Sequence, residues 1–332
     1  MGSAEVILDP MTHARLLPGT NKLENYETWG LWGPSGVGLN TTTRRIEHIE
    51  RVFGRQSELG VPSLSPTLAV ASSNSSEADH AVETARVARG IDRDCYQSFV
   101  GTLDLFASGA ALDAYVGRLA GLRASTWVVT LVPASSTNLV GDLAASTAAL
   151  AGWLRTIHSL SARSRVIVQN CDFIGLLAAA AGADTVGSGW DRSMKVFDAG
   201  SYQVSSGSPR IPASYVTQKV LLAVLRRSLA DDVQRLDPER AMILRGGPMP
   251  LNEAHQRVHH LRVVRDLVSD VYQFRERADS VAILRNLYED ALREYAWLNT
   301  QIPGLIASTD KETWAEAPLR ALSEYAKAEG IW

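Results

Sequence analysis

Cysteine is nearly absent: the 332 residues include only Cys95 and Cys171, far apart in the chain. Two cysteines support no disulfide framework and, alone, no Cys-rich zinc site. Their scarcity points to a reducing, cytoplasmic setting. Excess charge of either sign is also absent. Lys and Arg number 33 against 36 Asp and Glu, giving a net charge of −3 and a pI near 6.2. That average excludes a strongly basic nucleic-acid surface, though not a local patch. No apolar run reaches the length of about eighteen residues that marks a spanning helix, so a soluble protein with no membrane partner is expected. No signal peptide opens the chain, which agrees with that expectation.

What is present is an ordinary globular balance, 45% hydrophobic and 21% charged residues. The length suits one large α/β barrel or two domains. The most informative stretch is Arg165–Tyr202. It opens on the β-branched run Val166-Ile167-Val168 and passes through a polar turn, Gln169-Asn170-Cys171-Asp172. A small-residue helix from Ile174 to Ala181 follows, then a short strand, Thr185-Val186-Gly187-Ser188. A helix of Ala and Leu with almost no polar face must be covered on both sides. Strand, helix and strand in this order form a right-handed parallel crossover, whose ligand chemistry sits at the carboxyl ends of the strands.

Along the chain, strands are expected at 5–9, 63–71, 95–105, 126–132 and 241–244, besides the two above. Helices are expected at 44–60, from a Ser75 cap to 89, and at 110–122, 139–160, 213–235, 252–272, 277–300 and 311–329. Alternating strands and helices to about residue 250 indicate a TIM-type (β/α)8 barrel over 4–250, one or two units short in the count. Residues 251–332 read as a helical extension packed on the barrel.

Four carboxylates follow expected strands and would ring one mouth of such a barrel: Asp9, Asp104, Asp172 and Asp191. Converging carboxylates act as acid and base when their environments separate their pKa values. The plainer reading is that aspartates end strands, and that Asp191 caps the helix beginning at Arg192. Asn170, Ser188 and Trp190 lie at the same mouth as possible substrate contacts. Trp29 and Trp32, in the long loop 26–40, suit stacking on a flat ring, or simply burying that loop. His13 is a base or a structural histidine. Cys171 is a nucleophile or an inert core thiol. His255 and His259 share one helix face at zinc-ligand spacing, but position 256 is Gln rather than the Glu of a metalloprotease helix. No metal or cofactor is expected. Arg226, Arg227, Arg235, Arg240 and Arg245 are nearly balanced by Asp231, Asp232, Asp237 and Glu239, which reads as a solvated mixed-charge face.

Three places resemble the tRNA-guanine transglycosylase superfamily, including its relatives that insert 7-deazaguanines into DNA. Gly182-Ala183-Asp184-Thr185-Val186-Gly187-Ser188 is similar to its nucleophile strand, G-x-D-x-F-D-S/C. Glu253 to Arg262, EAHQRVHHLR, resembles its R-x-x-H-N-L helix. Ser35-Gly36-Val37-Gly38 sits where the family has D-S-G-G-F-Q. Their order and spacing agree with the family across roughly residues 25–295. The resemblance implies a barrel that exchanges a purine or 7-deazaguanine base in nucleic acid. It also exposes departures. The nucleophilic aspartate falls on Gly187, the aspartate of the first motif on Pro34, and the zinc cysteines on the cysteine-free 241–249. A covalent carboxylate intermediate needs a carboxylate, so exchange in this register is excluded. Three functions follow as expectations: an altered base-binding or base-exchanging barrel, a non-catalytic binding or scaffolding subunit beside a protein partner or in an oligomer, or an unrelated small-metabolite barrel enzyme. The first predicts a flat, aromatic-walled pocket, the second an exposed apolar patch, and the third a phosphate loop near Gly187-Ser188-Gly189.

Overall fold

The computed structural model describes residues 5–17, 27–133, 146–189, 197 and 214–331. Its centre is a five-stranded parallel sheet: β1 Ala69–Val70, β2 Gln97–Thr102, β3 Thr126–Val132, β4 Arg165–Gln169 and β5 Thr185–Val186, in sequential order. The register pairs Val100 with Thr130 and Thr130 with Gln169, so these side chains share a face. Helix α1 (Thr42–Glu58) precedes β1, and α2 (Ser76–Ile91) links β1 to β2. After β2 come α3 (Leu103–Phe106) and α4 (Ala110–Ala120); α5 (Thr147–Ser161) precedes β4, and α6 (Gly175–Ala180) joins β4 to β5. Two helices start where local chemistry dictates: Thr41 Oγ1 accepts from the Arg44 amide at 3.3 Å, and Ser75 Oγ from the Ala78 amide at 3.2 Å.

Right-handed crossovers between strands in unbroken order keep the connecting helices on one face of the sheet. Phe99, Trp127, Val129, Val166 and Val168 point to that face and share one core with Val82, Leu112, Trp153 and Leu177. Every residue of α6 is buried, as an apolar helix requires. A Cβ on Gly175 would come within 2.2 Å of Val186 Cγ1, so only glycine lets α6 approach β5 this closely.

The expected helix over 213–235 is corrected. Tyr215–Gln218 (β6) and Ala223–Arg226 (β7) form an antiparallel hairpin, and only then does α7 (Arg227–Leu236) begin. Tyr215-Val216-Thr217 is β-branched and aromatic, and Leu222, at φ 51°, turns the chain between the strands. The short apolar spacing there fits both periods, and packing decided. The expected strand 241–244 is also corrected to α8 (Pro238–Arg245). Asp237 caps it by accepting from the Arg240 amide at 3.0 Å, proline occupies its first turn, and Gly246 ends it at φ 73°. These start and stop signals outweigh the apolar run.

The C-terminal helices are α9 (Glu253–Tyr272), α10 (Arg277–Gln301), α11 (Ser308–Lys311) and α12 (Ala317–Glu329), with a π-helical turn before α12. Tyr288, Tyr295, Leu322 and Tyr325 join the same core as the sheet-flanking helices. The expected first strand, 5–9, is extended but makes no strand ladder.

Candidate functional site

The second face of the sheet is crossed by the N-terminal segment, whose alternate residues meet it. Near the amino ends of the strands, Glu5 accepts from Arg165 Nη1 at 2.6 Å and from the Tyr96 hydroxyl. Burial contributes little there; those two hydrogen bonds hold the Glu5 carboxyl below its usual range. In the middle, Ile7 packs on Leu64, Val128 and Ile167. At the carboxyl ends, Asp9 Oδ2 accepts from Gln169 Nε2 at 2.8 Å, and the same amide donates to Thr130 Oγ1 at 2.7 Å. Asp9 Oδ1 accepts from the Met11 amide at 2.7 Å, which fixes the carboxylate's orientation. Val6, between Glu5 and Ile7, points away and is 64% exposed. A period of two is what an extended chain lying on a sheet must show.

A 3-10 turn, Thr12–Leu16, continues from Asp9 and sets Ala14 against Val100 and Val132. His13 on this turn is buried, with its ring 5.1 Å from that of Phe197. Desolvation pushes its pKa down, and the nearby Asp9 charge offsets this only in part. His13 is therefore neutral near pH 7, and its Nε2 has no hydrogen-bond partner among the described residues. Asp9, which already accepts from Gln169 and Met11, keeps lone pairs able to accept from a ligand's N–H groups, and the neutral His13 imidazole lies near it.

The loop after β4 is held in an uncommon shape. Asn170 and Asp172 have φ of 55° and 34°, in the left-handed region, a strain on the order of 1–3 kcal/mol each for such residues. Between them the Cys171 amide donates to the Gly187 carbonyl at 3.2 Å, and the Cys171 thiol donates to the same oxygen at 3.1 Å. Burial pushes that thiol up to about 12, so it is an inert core residue rather than a nucleophile at neutral pH. Asp172 Oδ1 lies 2.8 Å from Nε2 of the buried His260 on α9, whose Nδ1 is 2.8 Å from Thr217 Oγ1 on β6.

The remaining sequence-expected residues are more dispersed. Asp104 is exposed on the first turn of α3. Trp32 stacks face to face on His48, ring centroids 3.7 Å apart, and Trp29 lies under the Arg55 guanidinium at 5.4 Å. The long loop thus packs on α1 through both rings. Ser188 is half-buried, and its hydroxyl has no partner among the described residues. Trp190 and Asp191 lie outside the described residues. The arginines of 226–245 are largely spent on structure. Arg240 pairs with Glu294 at 2.8 Å and stacks on Trp297, Arg227 pairs with Asp231, and the buried Arg245 donates to Gln234. His255 is exposed, and His259 is half-buried with Nε2 3.3 Å from the Thr217 carbonyl. Among the described residues no three His, Cys, Asp or Glu side chains gather as metal ligands.

Sequence reasoning missed Thr130 and read Gln169 only as part of a turn. The available signal was a polar residue at alternate positions of a β-branched run, Thr130 in TWVVTLV and Gln169 after VIV. Such residues face inward with the run and must find partners. Compared with family models, curated proteins and solved structures, the chain matches none. No described helix is long and apolar enough to cross a membrane.

Proposed function

We propose that this chain is a divergent transglycosylase-like α/β barrel that binds a purine-type base, free or within nucleic acid, at the carboxyl ends of its parallel strands. The observation that carries this is the Asp9 carboxylate, held by Gln169 at the end of β4 beside a neutral, buried His13. The barrel part is supported by the layering of the inner face. Glu5 with Arg165, then Ile7 with Leu64, Val128 and Ile167, then Asp9 with Thr130 and Gln169 follow one another toward the mouth. Stacked layers from neighbouring strands fill a barrel interior in this way. Both thiols are free and buried, which suits a reducing cytoplasm.

Zinc, which the resemblance implies, does not fit this chain. The 241–249 stretch has no cysteine, and among the described residues no three His, Cys, Asp or Glu side chains gather as metal ligands. Covalent exchange through position 187 does not fit either. Gly187 carries no carboxylate, and a Cβ there would sit 3.2 Å from the Val168 carbonyl oxygen. What this chain's own groups supply is recognition: Asp9 accepts from the ligand, Gln169 orients the carboxylate, and Thr130 accepts from the same Gln169 amide. Calorimetry with guanine, 7-deazaguanine and adenine tests this, alongside exchange of a labelled base into tRNA and DNA. Binding that disappears in Asp9→Asn supports the reading; no binding of any base by the wild type sinks it.

A second reading, a non-catalytic subunit beside an active partner, is supported by Gly187 and by the exposure of Met242, Ile243 and Leu251, at 51%, 65% and 83%. Native mass spectrometry showing a stoichiometric partner, with no base bound, would favour it.

A further inference from the structure

Three elements distant in sequence meet at one histidine. His260 comes from α9, Thr217 from the β6 strand of the hairpin, and Asp172 from the turn that follows β4. Nδ1 is hydrogen-bonded to Thr217 Oγ1 at 2.8 Å, Nε2 lies 2.8 Å from Asp172 Oδ1, the ring is 3% exposed, and the Phe173 ring meets it edge-on at 5.7 Å. Nδ1 and the Thr217 hydroxyl form a hydrogen bond, while Nε2 and Asp172 Oδ1 are in close contact without hydrogen-bond alignment. Hydroxyl, imidazole and carboxyl group are thus packed in series at one junction.

Its reach extends to the strand-end site. Asp172 is two residues from Asn170 and three from Gln169, and both Asn170 and Asp172 hold left-handed backbone. Such backbone persists in non-glycine residues only when something outside the loop fixes it. The Cys171 contacts with Gly187 fix one side, and His260 fixes the other. Gln169, whose amide orients the Asp9 carboxylate, leads directly into that loop.

We propose that His260 is a positioning residue for the strand-end site: through Asp172 it holds the 170–172 loop, and so keeps Gln169 directed at Asp9. The proposal rests on the base-binding reading. Truncating Asp172 or removing the Thr217 hydroxyl breaks these contacts; Asp172→Asn and Thr217→Ser keep an oxygen in place.

The test combines amide hydrogen exchange with base titration on the full chain. The variants are Asp172→Ala, Thr217→Val, Thr217→Ser and Asp172→Asn. Thr217→Val keeps shape and removes the hydroxyl, whereas Thr217→Ser retains it. Exchange across 169–175 is expected to quicken about tenfold or more in Asp172→Ala and Thr217→Val, because the contacts that hold the 170–172 loop are lost. Guanine-type base affinity is expected to weaken about tenfold in the same two variants, read well below their unfolding temperatures. Thr217→Ser and Asp172→Asn should restore most of both. Wild-type exchange in Asp172→Ala overturns the proposal, as does faster exchange with unchanged affinity. A wild type that binds no base refutes the base-binding reading and with it the positioning role; the exchange arm, by itself, then shows whether His260 is merely a structural tie.

Discussion

Gln169 and Asp9 are 160 positions apart in the chain, and their side chains meet at 2.8 Å on one face of the sheet. That contact joins the end of a central strand to an N-terminal segment that makes no ladder of its own. It holds the Asp9 carboxylate from two sides, by Gln169 and by the Met11 amide.

Asp9→Asn tests this directly. An amide presents its own N–H groups to Gln169 or to the ligand, so one donor faces another. Base affinity should fall about tenfold to a hundredfold, by loss of hydrogen bonds to a charged acceptor. Calorimetry on wild type and variant measures it, and equal affinity removes Asp9 from the site.

His48 makes folding pH-dependent. Burial lowers its pKa from 6.5 to about 4, while the Leu31 carbonyl, 2.8 Å from Nδ1, offsets this in part. Between those values the unfolded chain binds a proton that the native chain refuses. Stability is therefore full above about pH 6.5 and is lost as pH falls toward 4, by at most about 3 kcal/mol. His13, lowered for the same reason, acts in the same direction. Urea melts at pH 7 and pH 4.5 should show the loss, and His48→Gln should flatten it. An unchanged pH slope in the variant would mean that His48 is not the group responsible.

The two cysteines should resist alkylation in the native state. Burial pushes both thiols up to about 12, which leaves on the order of one thiolate in ten thousand at pH 8. Intact-mass analysis with iodoacetamide should find neither modified until the chain is unfolded. Rapid labelling of Cys171 in native protein would restore the nucleophile reading.

Glycine positions should differ in a fixed order. A Cβ at Gly152 would come 1.9 Å from the Phe106 carbonyl oxygen, at Gly175 2.2 Å from Val186 Cγ1, and at Gly187 3.2 Å from the Val168 carbonyl oxygen. Alanine at Gly152 or Gly175 should cost about 1–3 kcal/mol or more, with Gly152 the worse because backbone yields less than a side chain. Alanine at Gly187 should cost under about 1 kcal/mol. Gly187→Asp should fold, yet gain no base exchange, because Pro34 supplies no second carboxylate. Incorporation of labelled base by that variant would contradict this.

Where local chemistry dominates, the sequence alone was enough to place the elements. The strand at 126–132 and the one around Val166-Ile167-Val168, the Thr41 and Ser75 caps, and an apolar helix that had to be covered on both sides all follow from side-chain period and capping groups. Asp172 was legible as a carboxylate that follows a strand; Asp9 instead lies on a segment that makes no ladder, and reaches a strand end only through Gln169. What only the tertiary structure decided is whom each side chain meets. The hairpin at 215–226 and the helix at 238–245 turned on packing and on terminal signals that compete with a short apolar run. Trp32 was readable as an aromatic in a loop, but not as one stacked on His48. Asp9 and Asp172 look alike in sequence; the fold gives one to Gln169 and the other to His260. Periodicity is a property of near neighbours, whereas these pairings join residues separated by most of the chain. Their choice is made by which faces are left to be covered once the sheet has formed.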